Sequence, residues 1–195
     1  PCSFVCGAGA GLAIRFPETD VRSMGRTARG VIGIRLQPND YVVGVSLAED
    51  EKTVLSVTEN GYGKRTQIGE YRLQHRGGQG IINIKTTERN GNVVAMLTVD
   101  DDDEIVMVST DGTVIRTGVA GIRTIGRNTQ GVKLMKPQAD AVVSAVARAL
   151  GEKKEEVATE SAPMEVHEPG ENGQNNAGVP EQLELDDDYE EEDEE

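Results

Sequence analysis

Tryptophan is absent from this chain, and aromatic residues make up only 3% of it. A core built without aromatics must come from Val, Ile, Leu and Met, with the 23 glycines allowing backbones to approach closely. Cysteine is nearly absent too. Cys2 and Cys6 can pair only across a short loop, so no disulfide framework exists. The two histidines, His75 and His167, fall short of the roughly four ligands a structural zinc site needs. No Ser/His/Asp or Cys/His arrangement and no nucleotide loop is present, which excludes a recognisable catalytic site and a cofactor site in this chain. No apolar run reaches the 18 or so residues of a membrane span, and no signal-peptide pattern opens the chain. These absences predict a cytoplasmic protein with no membrane partner. The chain begins at Pro1, not Met, and reads as part of something longer.

Charge is unevenly placed. The whole chain carries −14, but residues 151–195 hold 18 acidic and 2 basic side chains, whereas residues 1–150 hold 16 acidic and 18 basic. A weakly basic body with an acidic tail points to a nucleic-acid or membrane partner. The tail is rich in Glu, Asp, Gly, Asn and Pro and ends in an acidic run from Asp186 to Glu195. Such a composition buries too little apolar surface to offset ordering, so disorder is expected there, with a short helix at most near Lys153–Glu156.

What the body does contain is a repeat. GRTARG (Gly25 to Gly30), RGGQG (Arg76 to Gly80) and GRNTQG (Gly126 to Gly131) place arginines at Arg26, Arg76 and Arg127, at steps of 50 and 51. The closing glycines Gly30, Gly80 and Gly131 keep the same steps. A period of this length signals a stack or ring of like units. Around each loop lie short apolar runs. Ile105 to Val108, Asp111-Gly112 and Val114 to Thr117 form one hairpin, and Val54 to Val57, Asn60-Gly61 and Gly63 to Thr66 form another. The first unit retains Gly11 and Ala13 to Phe16, with Phe4 to Cys6 as the remnant of an opening strand. A third run follows each loop, at Val31–Ile34, Ile81–Ile84 and Val132–Met135, and a fourth at Val42–Val45, Val93–Met96 and Val142–Ala145.

Runs that are apolar on both alternating faces belong to strands covered on both sides. The reading is therefore all-β: three four-stranded propeller-like blades over about residues 1–48, 49–100 and 101–150, then the tail at 151–195. Three blades do not close a ring, which again suggests a part of a larger assembly.

Three rows of basic residues recur in register. The loop row is Arg26 with Arg29, Arg76 with Gly77, Gly78 and Gln79, and Arg127. A glycine-rich loop with a cation can offer N–H groups and charge to phosphates. It can equally be a tight turn whose arginine caps carbonyls. Three such loops in register favour phosphate contact. The second row follows the hairpin turn at Arg15, Lys64, Arg65 and Arg116, and the third follows the third run at Arg35, Lys85 and Lys136. Each is either a binding band or a solvated rim. Asp100 to Glu104 lack the ligand spacing of a calcium loop and read as an acidic turn.

From Ala13 to about Leu150 the chain resembles the carboxy-terminal domain of DNA gyrase A. The segments that carry this are IRFPETDVRSMGRTARGV, TENGYGKRT, EYRLQHRGGQGI and GRNTQGV. The resemblance implies a β-pinwheel, six-bladed in the family, in which strands are exchanged between blades and duplex DNA wraps the basic perimeter. This chain corresponds to about three blades plus tail. Gln74 to Gly80 (QHRGGQG) match the family's first-blade box at five of seven positions, with His75 and Gln79 where the family has basic residues. The resemblance further implies a parent topoisomerase, built from two GyrA-type and two GyrB-type polypeptides, that adds negative supercoils in the bacterial cytoplasm, associated with the nucleoid. ATP and Mg would act on its other domains or polypeptides. The corresponding domain of topoisomerase IV is the related alternative. A protein-binding propeller scaffold such as a kelch module fits poorly, because its blades usually carry aromatics.

The tail's −16 lies on the same chain as the basic rows. A tethered polyanion reaches an effective concentration of roughly millimolar and acts within about 8–10 Å at physiological salt. Deleting residues 151–195 is expected to raise duplex affinity, most at low salt, and to leave the melting temperature unchanged. Equal affinity with and without the tail across a salt titration would show that it does not compete.

Overall fold

The computed structural model describes residues 2–149. The expectations of disorder and of a short helix in the tail lie outside those residues. The described chain forms β1 (Ser3–Ala8), β2 (Leu12–Pro17), β3 (Val42–Leu47), β4 (Thr53–Thr58), β5 (Tyr62–Gln67), β6 (Ile81–Ile82), β7 (Val93–Val99), β8 (Glu104–Ser109), β9 (Val114–Gly118), β10 (Val132–Lys133) and β11 (Val143–Ala149). Three short 3₁₀ turns, Glu18–Asp20, Ile68–Glu70 and Val119–Gly121, close the hairpins at equivalent points.

Strand order is β3-β1-β2-β6 in the first sheet, β10-β5-β4-β7 in the second and β11-β8-β9 in the third. The apolar run after each arginine loop therefore does not join its own unit. Ile81 and Ile82 pair with Ala13 and Leu12 of the preceding unit, and Val132 and Lys133 pair with Gly63 and Tyr62. This corrects a reading of four consecutive strands per blade and realises the strand exchange. It also leaves the third sheet with three strands among the described residues. Val31–Ile34 of the first unit makes only an isolated bridge, Ile34 to Gly78. The opening strand is no remnant: β1 runs six residues and pairs on both edges.

Glycine permits the exchange. Gly80 and Gly131 have φ of +75° and +80°, and a Cβ on either would lie 2.5 Å from the Ala13 oxygen or 2.7 Å from the Gly63 oxygen. A side chain is thus barred by both the left-handed backbone and the host strand.

The hydrophobic core lies between sheets. Val5 and Ala13 of the first sheet pack with Val54, Ile68, Tyr71 and Met96. Leu55 and Val57, on the other face of β4, pack with Ile105, Met107, Val119, Ile122 and Met135. Every residue of β4 is buried, as its two-faced apolar pattern requires. The edges opposite the donated strands come together, with Thr98 Oγ1 of β7 donating to Leu47 O of β3 (2.9 Å) and Arg148 of β11 donating to Thr98 O (3.4 Å). The donated strands and arginine loops consequently form the other edge of the first two sheets.

Candidate nucleic-acid interface

The loop arginines do not point freely into solvent. Arg76 is half-buried; its Nε donates to Asp20 O at 2.8 Å and its Nη1 to Ile32 O at 3.1 Å. Arg127 repeats the contact one unit later, with Nη1 donating to Ile82 O at 2.9 Å. The backbone N–H of each arginine donates to a carboxylate at the end of the preceding unit's 3₁₀ turn: Asp20 at 3.3 Å and Glu70 at 3.2 Å. Asp20 also receives His75 Nδ1 at 3.2 Å. Each loop is thus latched to the unit before it. Gly77, with φ +76°, donates its N–H to Gly33 O at 2.6 Å, and Gly78 O accepts the Arg35 N–H at 2.8 Å. For Arg76, Gly77, Gly78 and Arg127 the carbonyl-capping alternative is the one that this geometry displays. Gln79 is exposed beside them.

The row after the hairpin turn is also committed to structure. Lys64 is fully buried, and its Nζ donates to Thr66 Oγ1 (2.9 Å), Gly126 O (2.7 Å) and Arg127 O (2.9 Å). All three ammonium protons are used beneath the third arginine loop, so a phosphate has no access to them. Arg65, 7% exposed, donates Nε to Ile122 O at 2.8 Å and pairs with Asp101. Arg15 makes the same kind of pair with Asp50 at 2.8 Å and reaches Ser3 Oγ at 3.0 Å. Arg116 is exposed but paired with Glu104. Of the residues expected to contact DNA, Lys64 and Arg65 are thus buried and bonded within the protein, and Arg15 and Arg116 have carboxylate partners. The acidic stretch Asp100 to Glu104 proves to be a set of ion-pair partners: besides Arg65 with Asp101 and Arg116 with Glu104, Lys52 meets Asp100 at 3.5 Å and Arg148 meets Asp103 at 3.5 Å.

The exposed cations of the expected set that have no carboxylate partner among the described residues are Arg26, Arg29, Arg35, Lys85 and Lys136. A further row lies outside the loop motif. Arg22, Arg72 and Arg123 precede the loop arginines by four residues each, again at steps of 50 and 51, and all are exposed. Their common spacing is the signal by which the sequence could have shown them. Each of the three units therefore presents one exposed cation before its arginine loop (Arg22, Arg72, Arg123) and one after its third run (Arg35, Lys85, Lys136).

This repeated unit is shared with known proteins. The family model described as DNA gyrase C-terminal domain, beta-propeller, matches residues 5–49, 52–100 and 103–149. The chain belongs to that family. The DNA gyrase A protein of Haloquadratum walsbyi is 49% identical over 144 residues, covering 73% of this chain and 17% of the relative. Its Salmonella typhimurium counterpart is 49% identical over 141 residues, covering 72% and 16%. This chain thus spans under a fifth of the length of those relatives. Among solved structures, a DNA gyrase A C-terminal domain aligns with TM-score 0.69 at 29% identity, over 75% of this chain and 50% of that one. The C-terminal domain of DNA topoisomerase IV aligns at 0.72 and 21% identity, over 77% and 47%, and shares the fold. Within this gyrase-family domain, Gln74 to Gly80 form the latched loop of the middle blade.

Burial pushes the Lys64 ammonium down to about 8, partly opposed by nearby Glu70 and reinforced by Arg127. Below that pH the group is charged in both folded and unfolded chains. Between about 8 and the ordinary 10.5 the folded chain releases a proton that the unfolded chain keeps, so stability rises with pH by at most about 1.4 kcal/mol per pH unit. Chemical denaturation over this interval should show the wild type gaining stability relative to Lys64→Met. Parallel pH profiles for the two would contradict this account of the site.

Proposed function

We propose that this domain binds duplex DNA without sequence preference and curves it along the edge formed by the arginine loops and donated strands. The carrying observation is the pair of exposed cations that recurs in every unit, Arg22/Arg35, Arg72/Lys85 and Arg123/Lys136. Arg26 and Arg29 add to the first pair. Neutralised phosphates release counterions, which supplies affinity independent of base sequence and steep in salt. Smooth bending of a duplex segment by 40–90° costs about 1–6 kcal/mol, and cations repeated on successive like blades offset that cost by following the backbone. The protein's contribution is geometric. The latches hold adjoining blades in fixed relation, so the positions of the cations set the path of the DNA.

The curated relatives are DNA gyrase A proteins, which supports a place for this domain in a gyrase-type enzyme built from two GyrA-type and two GyrB-type polypeptides. Strand passage, with ATP and Mg, then belongs to other domains or polypeptides of that assembly. Among the described residues no group of three His, Cys, Asp or Glu side chains is arranged to hold a metal, and no helix is long and apolar enough to cross a membrane. Action in the cytoplasm on chromosomal DNA fits this reading.

The test compares two variants in salt titrations of duplex binding. Changing Arg72, Lys85, Arg123 and Lys136 to Gln is expected to flatten the slope of log affinity against log salt by roughly three to four units, with melting unchanged. Arg76→Ala is expected to lower stability by roughly 2 kcal/mol, because charge-assisted bonds to two carbonyls are lost, and to move the slope by less than about one unit. The reverse pattern would assign phosphate contact to the latched loops.

A further inference from the structure

One cluster of cations on this edge is not repeated. Tyr62 of β5 and Lys133 of β10 are direct cross-strand partners, and Lys133 Nζ lies 4.7 Å from the centre of the Tyr62 ring. Arg89 approaches the same ring, its guanidinium carbon 5.0 Å from the centre and its Nε donating to the Tyr62 hydroxyl at 3.2 Å. Cations are attracted to an aromatic face at this range. Together they hold the hydroxyl below the ordinary tyrosine range. Both cations are exposed, and neither has a carboxylate within ion-pair distance among the described residues.

The turn that carries Arg89 is held rigidly. Asn60 Nδ2 donates to Glu88 O and to Arg89 O, both at 3.1 Å. The fully buried Asn90 accepts from the Thr87 N–H at 2.7 Å and donates to Lys85 O (3.0 Å) and to Gln130 O (3.2 Å), the last in the donor segment of the next unit. The first sheet shows what the position requires for folding alone. There the equivalent cross-strand pair is apolar, Leu12 with Ile82. The corresponding turns of the flanking units, Leu36 to Tyr41 and Pro137 to Val142, contain no Lys or Arg. Strand exchange thus needs no cation at this position, and the middle blade brings two to one ring.

We infer that Tyr62, Arg89 and Lys133 form a single backbone-phosphate site that anchors a bound duplex at one point on an otherwise repeating edge. Arg89 and Lys133 are each an exposed cation with no carboxylate partner among the described residues, and a backbone phosphate that meets both accepts charge-assisted hydrogen bonds from each. This rests on the DNA-binding reading above, and its failure is separable from the failure of that reading.

The test uses the 195-residue chain and a short mixed-sequence duplex. The triple variant Tyr62→Leu, Lys133→Ile, Arg89→Ser restores the first sheet's own apolar pair, so it is expected to fold with a near-normal melting temperature. It should bind roughly tenfold more weakly at low salt, with the salt slope reduced by about two units. In the wild type, lysine acylation read by mass spectrometry should show Lys133 protected by DNA and the buried Lys64 unreactive with or without it. If the wild type binds with a steep slope while the variant keeps that slope, or Lys133 stays reactive in the complex, the anchor is refuted and the repeated rows stand. No duplex binding by the wild type refutes both. Should the triple variant unfold, Arg89→Ser alone must lower the slope by about one unit; an unchanged slope refutes the anchor.

Discussion

Passing a strand of one unit into the sheet of the unit before it is the constraint on which this architecture depends. Each sheet of the first two blades is finished by its successor: Ile81 and Ile82 complete the first, Val132 and Lys133 the second. The approach is close enough that only glycine fits at Gly80 and Gly131. Once the donor is seated, the arginine upstream of it falls against the carbonyl of Ile32 or Ile82, and its backbone N–H meets Asp20 or Glu70. Strand, glycine, arginine and carboxylate are one interlocking contact made twice.

That contact decides which cations are left for a polyanion. Arg76, Arg127, Lys64 and Arg65 are held by carbonyls, hydroxyls or carboxylates within the protein, and the fully buried Lys64 is tolerated because its three ammonium protons all find acceptors. The cations on either side of each latch, such as Arg72 and Lys85, are carried by segments whose backbones the latch immobilises. Rigid placement of exposed charge is the means by which a propeller-like stack can impose a path on a stiff duplex.

Much of this was legible in the sequence. The repeat period, the hairpin turns at Asn60-Gly61 and Asp111-Gly112, and the two-faced burial of β4 follow from local pattern. So does the exposure of Arg35, Lys85 and Lys136. The partner of an arginine was not legible. Arg76 bonds to a carbonyl 44 residues earlier, and nothing in RGGQG distinguishes a guanidinium aimed at phosphate from one aimed at Ile32 O. Lys64 sits in a polar stretch that suggests solvent, and only the arrival of Gly126 and Arg127 over it turns that stretch into an interior. Backbone acceptors carry no residue identity, which is why a pattern of residue types does not reveal them. The row Arg22, Arg72 and Arg123 is obscure for a different reason: its spacing is plain, but a lone arginine with no flanking glycine motif carries little signal of its own.

Native-state hydrogen exchange tests the interlock most directly. If the donated strands are integral to their host sheets, the Leu134 amide, which donates to Gly61 O, and the Asn83 amide, which donates to Gly11 O, should open only with the free energy of the β4 core strand. Exchange of these donor amides at much lower free energy than β4, with the host sheets still protected, would mean that the blades stand without the exchange and would contradict the account.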